Sequence, residues 1–421
     1  MLTRRRSRIG AAAALLALAA CQGAAPATPP STPTTGVAAS ASPQAASDPN
    51  LWTRIQPAAI EQPFGFMTVH VDAYGNPVTM CAPCHPAVDT TMTGVASGPG
   101  GLVAVGWIFQ GFHGEAWHST DGSTWSLDGQ LAEDSVLQAV AADASRYVAV
   151  GLDGQGGTAW SSADGVTWQQ TASHEAFAAS PLRLTAVASW NGGFVIAGYE
   201  GTEFGSGRAA FWLSSDGLTW QRAPDSDAFA DARPAAVTAG GPGLVAVGTA
   251  GPADAPGPAV VWTSADGLHW RRVAASPTFT GARMRTVASV PGIGLVAAGE
   301  DLSGDQGVVW TSSTGAVWKR GTVTAYHGSV GIQVRMYAAL AGGPGAVVVG
   351  TATEGIQYGA AVAWTSKDGL TWTQQPAGVE FADGELTGLT AARSRLYAVG
   401  DRGAPDVYVA TVWTSPPAWS R

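Results

Sequence analysis

Arg183, Arg233, Arg283 and Arg335 recur at intervals of 50, 50 and 52 residues, each four positions before the apolar residue central to a short strand-like segment. A guanidinium is a planar fork of donors that matches the paired oxygens of carboxylate, sulfate or phosphate. Glu385 holds the same phase in the next repeat, Thr91 and Val136 hold it in two earlier ones, and Tyr337 follows Arg335 by two residues. Four cations gathered at one phase repel one another unless something neutralises them. Two outcomes are open. Loop carboxylates such as Asp227, Asp231, Glu300 or Asp301 pair with them and tie the repeats together, or Arg183, Arg233, Arg283 and Arg335, with Tyr337 and Glu385, hold an anionic ligand.

A second group with chemical potential is Cys81-Ala82-Pro83-Cys84-His85. Cys-x-x-Cys-His is the attachment pattern of haem c, with Met67, His70, Met80 and Met92 as candidate sixth ligands. A Cys81–Cys84 disulfide stapling an irregular loop is the plainer expectation in an oxidising space. A tetrahedral zinc site could draw only on Cys81, Cys84, His85 and His70, which makes it the weakest of the three, so no cofactor is expected. Phosphate loops, dinucleotide fingerprints, nucleophile elbows and His-Glu-x-x-His are not found in the sequence.

The elements that must position these residues come from a repeated phrase, Trp-Thr-Ser-x-Asp-Gly-x-x-Trp. Its leading tryptophan falls at Trp117, Trp160, Trp212, Trp262, Trp310, Trp364 and Trp413, and the first six copies carry a second tryptophan eight residues on. A period of roughly 40–55 residues is that of a propeller blade or a similar array. Each copy reads as four strands. A short apolar strand (Leu184 to Ala188, for example) leads through a Gly-rich turn to a continuous apolar run such as Leu244 to Gly248. Runs of that kind, bounded by turns, fit strands buried on both faces. A third strand carries the first tryptophan, and Asp-Gly turns the chain into a fourth that starts at the second.

The seventh copy, Trp413-Thr414-Ser415-Pro416-Pro417, lacks Asp-Gly and stops short of a fourth strand. Leu51-Trp52-Thr53-Arg54-Ile55 resembles the fourth strands Trp220-Gln221-Arg222 and Trp270-Arg271-Arg272-Val273 and has no first three strands before it. The expectation is an all-β, seven-bladed propeller over residues 51–421, closed in its last blade by strands from both termini. Closure leaves no open sheet edge.

The Ser-x-Asp-Gly-x-Thr-Trp hairpin resembles the Asp-box, or bacterial neuraminidase repeat, of sialidase-like β-propellers. The copies are one residue shorter between Asp and Gly than the usual pattern, and the fifth has Thr314 in place of Asp. The resemblance implies the fold over roughly 51–421. For activity it implies an arginine cluster holding a substrate carboxylate, a Tyr–Glu nucleophile pair and an Asp acid/base. Tyr337 is a candidate for that tyrosine, but no glutamate can be assigned to it from the sequence. Arg54-Ile55-Gln56-Pro57 only loosely matches the family's Arg-Ile-Pro. The family also includes lipid-anchored propellers without hydrolase chemistry, and fold alone does not select among these.

Residues 1–21 read as a bacterial lipoprotein signal. Arg4, Arg5, Arg6 and Arg8 precede an apolar stretch too short to stay as a bilayer span, and Leu18-Ala19-Ala20 leads into Cys21, the expected lipid acceptor. Residues 22–50, rich in Ala, Pro, Ser and Thr, read as a disordered tether. Loss of the signal leaves 18 of the 22 basic residues against 31 acidic ones. Such a surface excludes a nucleic-acid partner, which needs a basic footprint. With Lys319 and Lys367 as the only lysines, no polybasic patch addresses anionic lipid, and contact with the membrane is expected through the anchor alone. The expected role is a lipid-anchored, cell-envelope binding or scaffolding module, with an anionic ligand as one candidate. The alternatives are a sialidase-like glycan hydrolase and a haem c electron carrier.

Overall fold

A computed structural model describes the chain from Trp52 onward, except residue 56, 58–68, 72–76, 80–88, 110–111, 133, 155, 172–175, 178, 180, 203–204, 206, 253–254, 325–331, 355–358, 377, 405–406, 418 and 420–421. Ser47–Arg421 is one compact unit. Seven antiparallel sheets follow one another along it. Their strands lie within Thr90–Ala132, Val136–Gln170, Leu182–Arg222, Ala232–Arg272, Ala282–Arg320, Ile332–Gln374 and Gly384–Thr414, which we number blades one to seven. In each blade the first strand is innermost and abuts the first strand of the next blade; that of blade seven abuts that of blade one. The ring is a seven-bladed β-propeller.

The ring closes in blade seven. Thr53–Ile55 pairs antiparallel with Val407–Thr414, in the register Thr53 to Thr414, Arg54 to Trp413 and Ile55 to Val412. Trp52 is buried there, its ring centre 6.0 Å from that of Phe381 and 5.8 Å from that of Trp419. Arg54 thus serves the outer strand, with Nε 3.4 Å from the Glu380 carboxylate, and takes no part in the channel.

The repeated phrase folds as its chemistry requires. In blade three the Ser214 hydroxyl accepts the Gly217 amide at 2.8 Å, and Asp216 Oδ1 accepts those of Leu218 and Thr219, both at 2.8 Å. Gly217 needs its positive φ of 67° to make this turn. Asp121, Asp164, Asp266 and Asp368 repeat the arrangement. Amide donors from Thr167 and Val166 hold the Asp164 carboxyl down at about 2. Thr314 in blade five takes a single amide, that of Ala316, at 3.3 Å. All seven leading tryptophans are buried between blades. Four of them donate Nε1 to the loop that enters their blade, as Trp262 does to the Ala228 carbonyl at 2.8 Å. The hydrophobic core is therefore a set of wedges between neighbouring blades. One wedge packs Val195, Ala197 and Phe211 of blade three on Val260, Trp262 and Trp270 of blade four.

Two features escape the four-strand expectation. Thr322–Val323 runs parallel to Thr371 and Trp372 and adds a fifth strand outside blade six. The segment before blade one holds a small hairpin, Val69–Val71 with Pro77–Thr79.

Candidate functional site

Strand register fixes which end of each blade carries the arginines. The first residues of an innermost strand pair with the last of the second strand: Arg183 with Tyr199, Arg233 with Thr249, Arg283 with Glu300, Arg335 with Thr351 and Glu385 with Asp401. The Ser-Asp-Gly hairpins begin where the third strand ends, beside the start of the second, as Ser214 pairs with Phe194. The arginines and the hairpins thus occupy opposite faces of the ring.

Two residues beyond each of these positions the innermost strand bulges. The ladder skips Thr93, Gln138, Thr185, Ala235, Arg285, Tyr337 and Thr387, one residue in every blade. A bulge re-aims its side chain, and here all seven turn onto one cavity of about 440 Å³. That cavity is the axial channel. Thr93, Thr185 and Thr387 use their hydroxyls as clasps, donating to the carbonyls of Leu137, Pro234 and Met92 in the following blade. Arg285 and Tyr337 carry ionisable groups into the channel from blades five and six.

Arg233 and Arg283 line the same cavity, so three guanidinium groups from two adjacent blades meet there. Glu300, fully buried, balances two of them. It accepts Arg285 Nε at 2.6 and 2.7 Å, and Arg283 Nε binds the same Oε1. Arg285 in turn lies 5.4 Å from the Tyr337 ring centre, within range of a cation–π contact. Arg233 lies 5.2 Å from the Tyr199 ring centre, and its Nε and Nη2 are buried without a hydrogen-bond partner among the described residues.

Arg335 and Glu385 line a neighbouring cavity of about 360 Å³ with Asp383, Asp401 and Tyr408. Glu385 and Asp401 face each other across the ladder. Burial, and to a lesser degree the Glu385 charge, push the Asp401 carboxyl up to about 7, against a 2.6 Å hydrogen bond from the Thr91 hydroxyl. Burial first and the Glu385 charge second push the Tyr337 phenol above the ordinary range. Glu385, supplied by the next blade, is the glutamate whose charge acts on Tyr337.

Of the residues singled out in sequence, Arg233, Arg283 and Tyr337 share the channel, Arg335 and Glu385 share its neighbour, and Arg183 is not among the lining residues of either. Arg285, Glu300 and Asp401 complete the site. Arg285 stands two residues from Arg283 in sequence, and the bulge at Arg285 leaves it unpaired in the ladder while both line the channel. Cys21, Cys81, Cys84 and His85, like Met67 and Met80, lie outside the described residues. Met92 is buried in the wedge between blades seven and one. Among the described residues no three His, Cys, Asp or Glu side chains are placed to hold a metal, and no helix is long and apolar enough to cross a membrane.

No protein-family model matches the sequence, and no curated protein matches it. Among solved structures, a catalytically inactive variant of virginiamycin B lyase from Staphylococcus aureus, with quinupristin, superposes with a TM-score of 0.51. Identity is 9%, over 78% of this chain and 95% of that one. Trypanosoma rangeli sialidase in complex with sialic acid gives a TM-score of 0.43 at 12% identity over 87% of this chain. The chain spans 59% of the length of that sialidase. The likeness to the lyase, at 9% identity, is one of fold alone, and function has to be argued from the site.

Proposed function

We propose that this chain is a lipid-anchored β-propeller of the cell envelope that binds a small anion, a carboxylate foremost, in the mouth of its axial channel. One observation carries the reading: Arg233, Arg283 and Arg285 line a single cavity in which, among the described residues, Glu300 is the one carboxylate hydrogen-bonded to them. The surplus of positive charge favours an anion, and the enclosing walls strengthen its attraction. Pro234, Pro252 and Pro256 on the blade-four side would receive an apolar body attached to it. Calorimetric titration of the purified protein with acetate, benzoate and sulfate tests this. Loss of one charge-assisted hydrogen bond in Arg283→Ala should weaken binding by about 1.5–3 kcal/mol. Equal affinity in wild type and an Arg283→Ala, Arg285→Ala double variant would end the proposal. The anchor has its own test, since Cys21→Ser should leave the membrane fraction.

The second reading is glycoside hydrolysis, favoured by Tyr337 lying in the channel within reach of the Glu385 charge, with the buried Asp401 in the neighbouring cavity. Tyr337 would be the nucleophile with Glu385 as its base, and Asp401, protonated below about 7, the general acid. Release of a fluorogenic sialoside, abolished in Tyr337→Phe, would establish it. Anion binding without turnover would select the first reading.

A further inference from the structure

Arg233 sits in a position that leaves much of its bonding capacity unused. Its guanidinium rests on Tyr199, and Nε and Nη2 are enclosed by protein with no acceptor among the described residues. Those two nitrogens form one edge of the guanidinium, the edge whose parallel N–H bonds match a planar pair of oxygens. Buried donors without acceptors are rare, because the water they lose is not replaced. Gly207 makes the placement feasible: a Cβ there would stand 2.6 Å from Arg233 Cγ and 2.9 Å from its Nε. The same side chain also lines the channel cavity beside Arg283 and Pro234.

We propose that Arg233 is a ligand-drawn latch: stacked on Tyr199 in the observed conformation, it swings into the channel to grip a planar oxyanion with its Nε–Nη2 edge. This rests on the anion-binding reading and adds a moving part and a selectivity to it. A ligand shifts such an equilibrium only through contacts that differ between the two conformations. A carboxylate or nitrate supplies two coplanar acceptors for that edge, whereas a chloride ion supplies a single centre. Planar oxyanions should therefore stabilise the protein more than chloride does at equal ionic strength.

The test is thermal unfolding in acetate, nitrate and chloride, applied to wild type, Arg233→Met, Gly207→Ala and the Arg283→Ala, Arg285→Ala double variant. Methionine keeps the contact with Tyr199 and removes the unsatisfied donors. In a buffer without acetate or nitrate, Arg233→Met should melt higher than wild type by about 1–3 °C, and it should lose the preference for planar oxyanions. Gly207→Ala, which crowds the stacked position, should tighten acetate binding roughly threefold or more by removing the competing conformation. A lower melting temperature in Arg233→Met, a retained planar preference there, or unchanged acetate affinity in Gly207→Ala each overturns the latch. If the double variant loses the oxyanion effect while Arg233→Met keeps it, the anion site stands and the latch alone falls. If wild type shows no oxyanion effect, both fall.

Discussion

Glu300→Gln should convert the best-satisfied part of the channel into its weakest. The Glu300 side chain is fully buried, and both Arg283 and Arg285 bind it through Nε. Glutamine keeps the volume, removes the charge, and offers one acceptor where two oxygens worked. Removing one partner of a buried ion pair typically costs about 3–5 kcal/mol, because the other charge stays behind. Here the two guanidinium side chains keep 26% and 29% of their exposure. Water still reaches them, so the expected loss is smaller, about 2–3 kcal/mol. Urea unfolding is the suitable assay, since a charged denaturant would screen the effect under study; the midpoint should fall with the slope unchanged. The cavity gains positive charge in the variant, so added sulfate should recover part of the loss, and more of it than in wild type. A variant within about 0.5 kcal/mol of the parent, the ordinary scatter of surface changes, and indifferent to sulfate would refute the view that Glu300 is the counter-charge of this channel.

Three further outcomes follow from the fold. Thr314→Asp should stabilise blade five by about 0.5–1.5 kcal/mol, the worth of a cap-like carboxylate, because the other hairpins show that an Asp there collects two amides; unchanged urea stability would refute it. Trp52→Ala should cost about 3–5 kcal/mol and expose the edge of blade seven, read as a lower midpoint and as aggregation on storage. Burial pushes the Glu115 carboxyl, whose Oε2 has no hydrogen-bond partner among the described residues, up to about 7. A folded-state pKa above the unfolded one gives stability that is complete below about pH 4 and lost as pH rises through 7. Glu115→Gln should accordingly match wild type at pH 4 and exceed it at pH 8 by on the order of 2 kcal/mol, and parallel pH–stability curves for the two would refute the assignment.

The ring itself was legible in the chain because its determinants are local. Five of the hairpins are specified within nine residues by a serine, a carboxylate, a glycine and two tryptophans, with Thr314 replacing the carboxylate in blade five, and the spacing of the tryptophans counts the blades. Even closure could be read, since Trp413 lacks a fourth strand and Trp52-Thr53-Arg54-Ile55 has the composition of one. The opposition of arginines and hairpins follows from antiparallel register alone. What the sequence could not carry is the channel. A bulge in each innermost strand changes which side chains turn inward, and a bulge is a pairing defect with no residue signature of its own. Nothing in the sequence singles out Arg285, and the carboxylate that acts on Tyr337 stayed hidden because Glu385 belongs to another blade, 48 residues on. Charge balance is likewise a tertiary property. Glu300, Asp227 and Asp231 were equal candidates in sequence, and only burial at the channel wall made Glu300 the residue that meets two arginines. Local hydrogen-bonding chemistry determined the blades; the meeting of strands far apart in the chain decided what the channel could bind.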